Sequence, residues 1–175
     1  LGSTRKITQH LLNADVPSAV FVAPRGARAA SAGTFITASA TFAVMAPGTN
    51  IGAASPVGGG GEDLPETLKS KATNDAAAEV RSIAALRGRN QEKLEATVLQ
   101  ALSFTAEEAV ESGMVDFIAG DLDTLLEQLH GQEATIRPPD GRQVTLDTQG
   151  VSVRTMKMSL VERFLRFLSD PNVSY

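Results

Sequence analysis

Ser31 stands in the run GARAASAGTFITA, residues 26–38, among side chains that are almost all small and where an apolar helix begins. A serine hydroxyl attacks a carbonyl only when a base removes its proton and a donor receives the oxyanion that forms. The first amides of a helix are unpaired and point outward, so the N–H of Ala32 is placed to donate to such an oxyanion. Ala29, Ala30, Ala32 and Gly33 would let a polypeptide backbone approach. The same residue types also suit an N-cap or a close-packed serine, the commoner role at a helix start.

Candidate bases are few. The two histidines, His10 and His130, both lie in polar, late-helix contexts. There is no cysteine, which removes thiol nucleophiles, disulfides and cysteine metal sites. Lysine can act as a base where burial lowers its pKa until a neutral amine exists near neutral pH. Lys69 and Lys71 open a long helical pattern. Periodicity puts Lys69 on the more apolar stripe, with Thr73, Ala76 and Val80. Lys71, with Asp75 four residues on, also fits a solvated surface pair. The residue types alone leave the choice of base, and the function, open. Arg25 and Arg28 bracket the approach to Ser31, where they would contact a substrate carboxylate, a neighbouring subunit or solvent.

No motif calls for a cofactor or metal. The GGGG run at 58–61 lacks a following Gly-Lys-Ser/Thr and any Rossmann spacing, and reads as a flexible, substrate-covering loop. TAEEAVE, residues 105–111, lacks the Asp/Asn/Gly pattern of a calcium loop and reads as a solvated helix face. With 16 Lys and Arg against 20 Asp and Glu, the net charge of −4 argues against nucleic acid as a partner. No apolar run reaches membrane-spanning length.

These residues must be positioned by alternating elements. STRKITQHLLNA predicts a helix with Ser3 as an N-cap-like residue and Ile7, Leu11 and Leu12 on its apolar face. SAVFVAP predicts a buried strand, Ser31 to about Ala40 a helix, and FAVMAP a second strand. GTNIGAASPVGGGGEDLPE reads as one long loop. A long helix runs from about Pro65 to Leu86 and stops at GRN, residues 88–90. QEKLEATVLQAL, TAEEAVESG and DLDTLLEQLH are further helices, with MVDFIA as a strand between the last two. His130, near a helix C-terminus, is expected to meet the last carbonyls. This alternation predicts an α/β fold with a largely parallel sheet and flanking helices. After Gly131 the Thr- and Val-rich runs around PPDG and TQG predict a β-hairpin, followed by an amphipathic helix at 159–168 that stops at Asp170–Pro171. That helix would either lie on a membrane surface, which Arg163 and Arg166 would suit, or pack on the body. The expected division is residues 1–131 and 132–175.

The blocks VAPRGARAASAGTFITASATFAVMAPGTNIGAASPV and KATNDAAAEVRSIAALRGRN, with SFTAEEAVESGMVDFIAGDLDTLLEQL and MSLVERFLRFLSDPNVSY, resemble the NfeD family of membrane-bound serine proteases, of the ClpP/crotonase superfamily. The resemblance spans nearly the whole chain. It implies a ClpP/crotonase-like domain over 1–131 and a juxtamembrane hairpin and helix over 132–175. It further implies a Ser–Lys dyad, with Ser31 as nucleophile and Lys71, rather than Lys69, as general base. The Ala32 amide would supply half of the oxyanion hole. Phe35, Ile51 and Met45 offer apolar lining for a hydrophobic substrate but are not counted among the site residues. No cofactor or metal is implied. The family's substrates are hydrophobic peptide segments, its usual partner is a stomatin-type membrane protein, and a homo-oligomer is expected. The parent would be membrane-anchored, with the protease body on the extracytoplasmic side. In the family a Pro-Gly-Gly turn precedes the first helix here and completes the oxyanion hole. The chain is therefore expected to be an internal fragment, soluble by itself, whose activity depends on that turn. The competing expectations are a non-catalytic scaffold and an acyl-CoA-binding crotonase-type enzyme. The second lacks a nearby carboxylate in the sequence.

Overall fold

The structure, a computed structural model, describes residues 2–57 and 65–156. The chain runs α1 (Gly2–Leu12), β1 (Ala19–Val22), β2 (Arg28–Ala30), α2 (Ala32–Ser39), β3 (Phe42–Met45) and β4 (Asn50–Gly52). Then come α3 (Glu66–Arg87), α4 (Gln91–Leu99), β5 (Ser103–Thr105), α5 (Ala106–Glu111), β6 (Phe117–Ile118), α6 (Leu122–Leu129), β7 (Glu133–Thr135) and β8 (Gln143–Thr145). One sheet, in the order β1-β3-β6, is wholly parallel. A second, β2-β4-β5, pairs β2 with β4 in parallel and β4 with β5 antiparallel. The hairpin β7-β8 is separate.

β3 is the axis of the packing. All four of its residues are buried, as expected for a central strand covered on both faces. Strand alternation sends Ala43 and Met45 to one side and Phe42 and Val44 to the other. The first side meets Phe35 and Ala38 of α2, Val80 and Ile83 of α3, and Leu94 and Val98 of α4. The second meets Leu125 and Leu129 of α6 and Ala134 of the hairpin. In α3 the buried residues Ala76, Ala77, Val80, Ile83 and Ala84 recur at helical spacing. The earlier turns of α3, from Glu66 to Lys71, are exposed.

Two arginines close the end of α2 remote from Ser31. A helix leaves its last carbonyls without intrahelical partners. Arg89, with a side chain 3% exposed, donates to the carbonyls of Ala38 (3.2 Å) and Ala40 (3.1 Å) and to the Asp116 carboxylate (2.9 Å). Asp116 in turn accepts from the Ala43 amide at 2.6 Å, tying this group to β3. Arg87 donates to the carbonyls of Ser39 (2.8 Å) and Leu11 (2.9 Å), the latter at the end of α1. Burial, and then the like charge of Arg89, lowers the Arg87 pKa to about 10, so it stays protonated at neutral pH. Gly88 between them is left-handed (φ 67°) and caps α3, while Asn90 caps α4 by accepting from the Lys93 amide. The GRN stop therefore also anchors α2.

Several expectations require correction. Ser3 lies inside α1 rather than capping it, and Ile7 is exposed. The stretch expected to be a single loop after Ala46 contains β4, which pairs with two strands, β2 and β5, that were not foreseen. Three-residue strands are too short to show a period of two, and their apolar content is interrupted by Gly52. His130 caps α6 through its backbone, but its side chain turns to Asp147 (3.3 Å) instead of the helix carbonyls. The glycine run at 58–61 and the helix expected at 159–168 lie outside the described residues.

Candidate active site

Ser31 is exposed at the junction of β2 and α2. Its backbone sits at φ 51°, ψ −116°, outside the ordinary wells of an L-residue, and its side chain makes no cap hydrogen bond. Such a conformation costs roughly 1–3 kcal/mol and persists only where the surroundings hold it. Here the Ser31 amide donates to the Gly52 carbonyl (3.2 Å), and the Ser31 carbonyl accepts from the Thr34 amide (3.1 Å). Among the described residues the amides of Ala32 and Gly33 find no backbone acceptor. The commoner role of a serine at this position, capping, is thus unfilled.

Gly52 makes the junction possible. A Cβ at this position would lie 2.1 Å from the Leu102 carbonyl oxygen and 2.7 Å from the Ser103 Cα, and its φ is +138°. Glycine alone combines that angle with so close a backbone approach. The next residue, Ala53, is also at positive φ (44°), and its amide donates to the Leu102 carbonyl (2.8 Å).

A cavity of about 200 Å³ opens beside Ser31, lined by Ala32, Phe35, Ala54, Pro56, Val57 and Ala76, with Thr4, Arg5 and Glu79 on its polar side. The apolar wall suits a hydrophobic side chain. Of the three apolar residues considered as lining, only Phe35 faces the cavity. Ile51 and Met45 are fully buried in the core, because β4 and β3 turn those positions inward. Arg5 donates through Nε to Glu79 (3.0 Å) and also to Asp75. These bonds, the Glu79 one first, hold its guanidinium above its usual pKa range. Helix α1 brings Arg5 across to α3, a tertiary pairing without a local sequence signal. The carboxylate that the sequence reading did not find near Ser31 is therefore present as Glu79, already engaged by Arg5.

Lys69 and Lys71 are both exposed on the first turns of α3, and neither lines the cavity. At 3.6 residues per turn, Lys69 lies about 20° around the axis from the cavity residue Ala76, and Lys71 about 140°. Arg25 and Arg28 are exposed without ion pairs among the described residues. His10 binds the Lys6 carbonyl in an exposed position, and His130 lies at the end of α6. The structure brings Ser31, Ala32 and Phe35 together and leaves both histidines away from them.

The parallel sheet with an exposed serine at the head of a helix defines an α/β fold of the ClpP type. ClpP1 from Listeria monocytogenes is similar at a TM-score of 0.53 and 17% identity, over 71% of this chain and 69% of that one. Closer relatives fix the family. The chain is 37% identical over 171 residues to the membrane-bound protease PH1510 of Pyrococcus horikoshii, which covers 97% of this chain and 38% of that protein. It spans under two-fifths of that relative's length. A lysine-to-alanine variant of the 1510-N membrane-bound stomatin-specific protease, in complex with a substrate peptide, superposes at a TM-score of 0.85. That match has 33% identity and covers 97% of this chain and 77% of that chain. A serine-to-alanine variant superposes at 0.79 with 34% identity, covering 90% and 76%. The chain belongs to this family of membrane-bound serine proteases, as the sequence resemblance implies. No family model matches it. Among the described residues no helix is long and apolar enough to cross a membrane.

Proposed function

We propose that this chain is the catalytic part of a serine endopeptidase that cleaves hydrophobic peptide segments of a stomatin-type membrane partner, with Ser31 as nucleophile and Lys71 as general base. The observation that carries the reading is the exposed, strained, uncapped Ser31 beside an apolar cavity, with the free Ala32 amide next to it. As Oγ attacks the scissile carbonyl carbon, its proton passes to neutral lysine Nζ, and the Ala32 N–H donates to the oxyanion. Collapse breaks the C–N bond, and the lysine ammonium returns the proton to the leaving amine. The lysine, neutral again, then takes a proton from water, which attacks the acyl ester, and as the acyl C–O bond breaks the lysine returns that proton to Ser31 Oγ and the acid is released.

Lys71 rests on its match to the family's lysine. Lys69 is the second reading, favoured by its position on the Ala76 face of α3. Membrane anchoring of the parent, with the body extracytoplasmic, and self-association also follow from the resemblance, and sedimentation reads the latter.

The test is fluorophosphonate labelling of the chain, alone and within its complete natural reading frame, alongside Ser31→Ala, Lys71→Ala and Lys69→Ala. Labelling lost in the first two variants and kept in the third establishes the dyad. Loss with Lys69→Ala instead transfers the base to Lys69. No labelling of any folded form overturns the protease reading.

A further inference from the structure

Thr34 has a role that the dyad does not assign. Its side chain is fully buried, yet its hydroxyl lies 2.9 Å from the Ala29 carbonyl and 3.0 Å from the Gly52 carbonyl. One hydroxyl proton is thereby shared between the middle residue of β2 and the last residue of β4. The same Gly52 carbonyl accepts the Ser31 amide, and the Thr34 amide holds the Ser31 carbonyl. Thr34 thus grips Ser31 from both sides. Its own N–H fixes the Ser31 carbonyl, which sets ψ. Its hydroxyl fixes the acceptor of the Ser31 N–H, which sets φ. A residue outside the favoured wells relaxes unless it is over-determined in this way.

We infer that Thr34 is a positioning residue for the nucleophile, acting through Gly52 to hold Ser31 in its strained, attack-ready conformation. The inference rests on the reading of Ser31 as nucleophile for its kinetic consequence, but not for its structural one. Thr34→Val keeps the shape of the side chain and removes the hydroxyl. Thr34→Ser keeps the hydroxyl and removes a methyl group. A nucleophile misplaced by a fraction of an ångström to an ångström loses about 10- to 100-fold in rate.

The test measures three quantities on wild type and both variants: the fluorophosphonate labelling rate, kcat and KM on a hydrophobic peptide, and hydrogen exchange at the Ser31 amide by NMR. Thr34→Val is expected to lower the labelling rate and kcat by about 10-fold or more, to leave KM within about twofold, and to speed Ser31 exchange. Thr34→Ser is expected to restore all three. Labelling and exchange of Thr34→Val at wild-type rates would overturn the role while the protease reading stands. A defect shared equally by Thr34→Ser would also overturn it, since packing and not the hydroxyl would then be responsible. If no folded form of the wild type labels, alone or within its complete natural reading frame, the nucleophile reading fails, and the exchange data still decide whether Thr34 holds Ser31. An unprotected Ser31 amide in the wild type overturns the inference even if Thr34→Val does not fold.

Discussion

Replacing Arg89 by methionine should cost about 3 kcal/mol of stability, although Arg89 touches no part of the cavity. The side chain is 3% exposed, so what it leaves behind is not rescued by bulk water. Two carbonyls of fully buried residues, Ala38 and Ala40, lose their donors. Each unsatisfied buried carbonyl costs roughly 1–3 kcal/mol. Asp116 loses one charge-assisted bond but keeps the Ala43 amide and is 35% exposed, so its loss is discounted. Methionine fills the space without the desolvation penalty of a guanidinium, which offsets part of the cost. Urea unfolding followed by far-ultraviolet circular dichroism should show a lower midpoint and an unchanged slope. The double variant Arg89→Met/Asp116→Asn should lose less than the sum of the two singles, by about 1 kcal/mol. A single-variant loss below about 1 kcal/mol, or strict additivity, would refute the view that Arg89 anchors α2 through these partners.

Gly52→Ala should lose more than about 3 kcal/mol and all labelling of Ser31, because the new Cβ meets backbone atoms that no rotamer change can move. A variant that unfolds at the wild-type urea midpoint would count against that geometry. Asp121 caps α6 by accepting from the Thr124 amide, and this bond holds its carboxylate below the usual range. A folded pKa below the unfolded one gives stability that is present above the unfolded value and lost as pH falls through the folded value. Asp121→Ala should therefore melt below wild type at pH 7, with the gap closing as pH falls below the ordinary aspartate pKa. Asp121→Asn, which still caps but does not titrate, should lie closer to wild type at pH 7 and gain on it by the same amount as pH falls, and a gap independent of pH for either variant would contradict the assignment.

What the sequence disclosed depended on how local the cause was. The stop of α3 at Gly88 resides within a few residues and was read from GRN, whereas the equally local caps at Asn90, Thr105 and Asp121 were not named, although the helices they open were expected. Ser31 and the Ala32 amide were legible because a helix start has the same unpaired amides wherever it occurs. The strands β2, β4 and β5 were not, since each is three residues long and exists by pairing with the others. Of the apolar residues considered as lining, Phe35 faces the cavity whereas Ile51 and Met45 are buried in the core, because which face of a strand turns inward depends on the neighbouring layers. Glu79 and Arg5 meet because α1, packed on α2, brings Arg5 within reach of α3, 74 residues away in sequence. Their pairing leaves no mark in either segment. Periodicity gave Lys69 the apolar stripe, and α3 keeps it there. The preference for Lys71 came from the family pattern, and no helical geometry contained it.

The close approach of Gly52 to Leu102 and Ser103 also sets an order of events during synthesis. Ser31 emerges from the ribosome long before residue 102, and until then β4 has no β5 to pack against. The contact spans 50 residues of intervening chain, and closures of that separation come late in folding. A nascent chain carrying Ser31 without this support has no means of holding the serine backbone in its unfavourable conformation. Ser31, the nucleophile of the proposed reaction, is thus held in place only when the far strand arrives. On the proposed function, a half-made chain would not yet hold a finished hydrolytic centre.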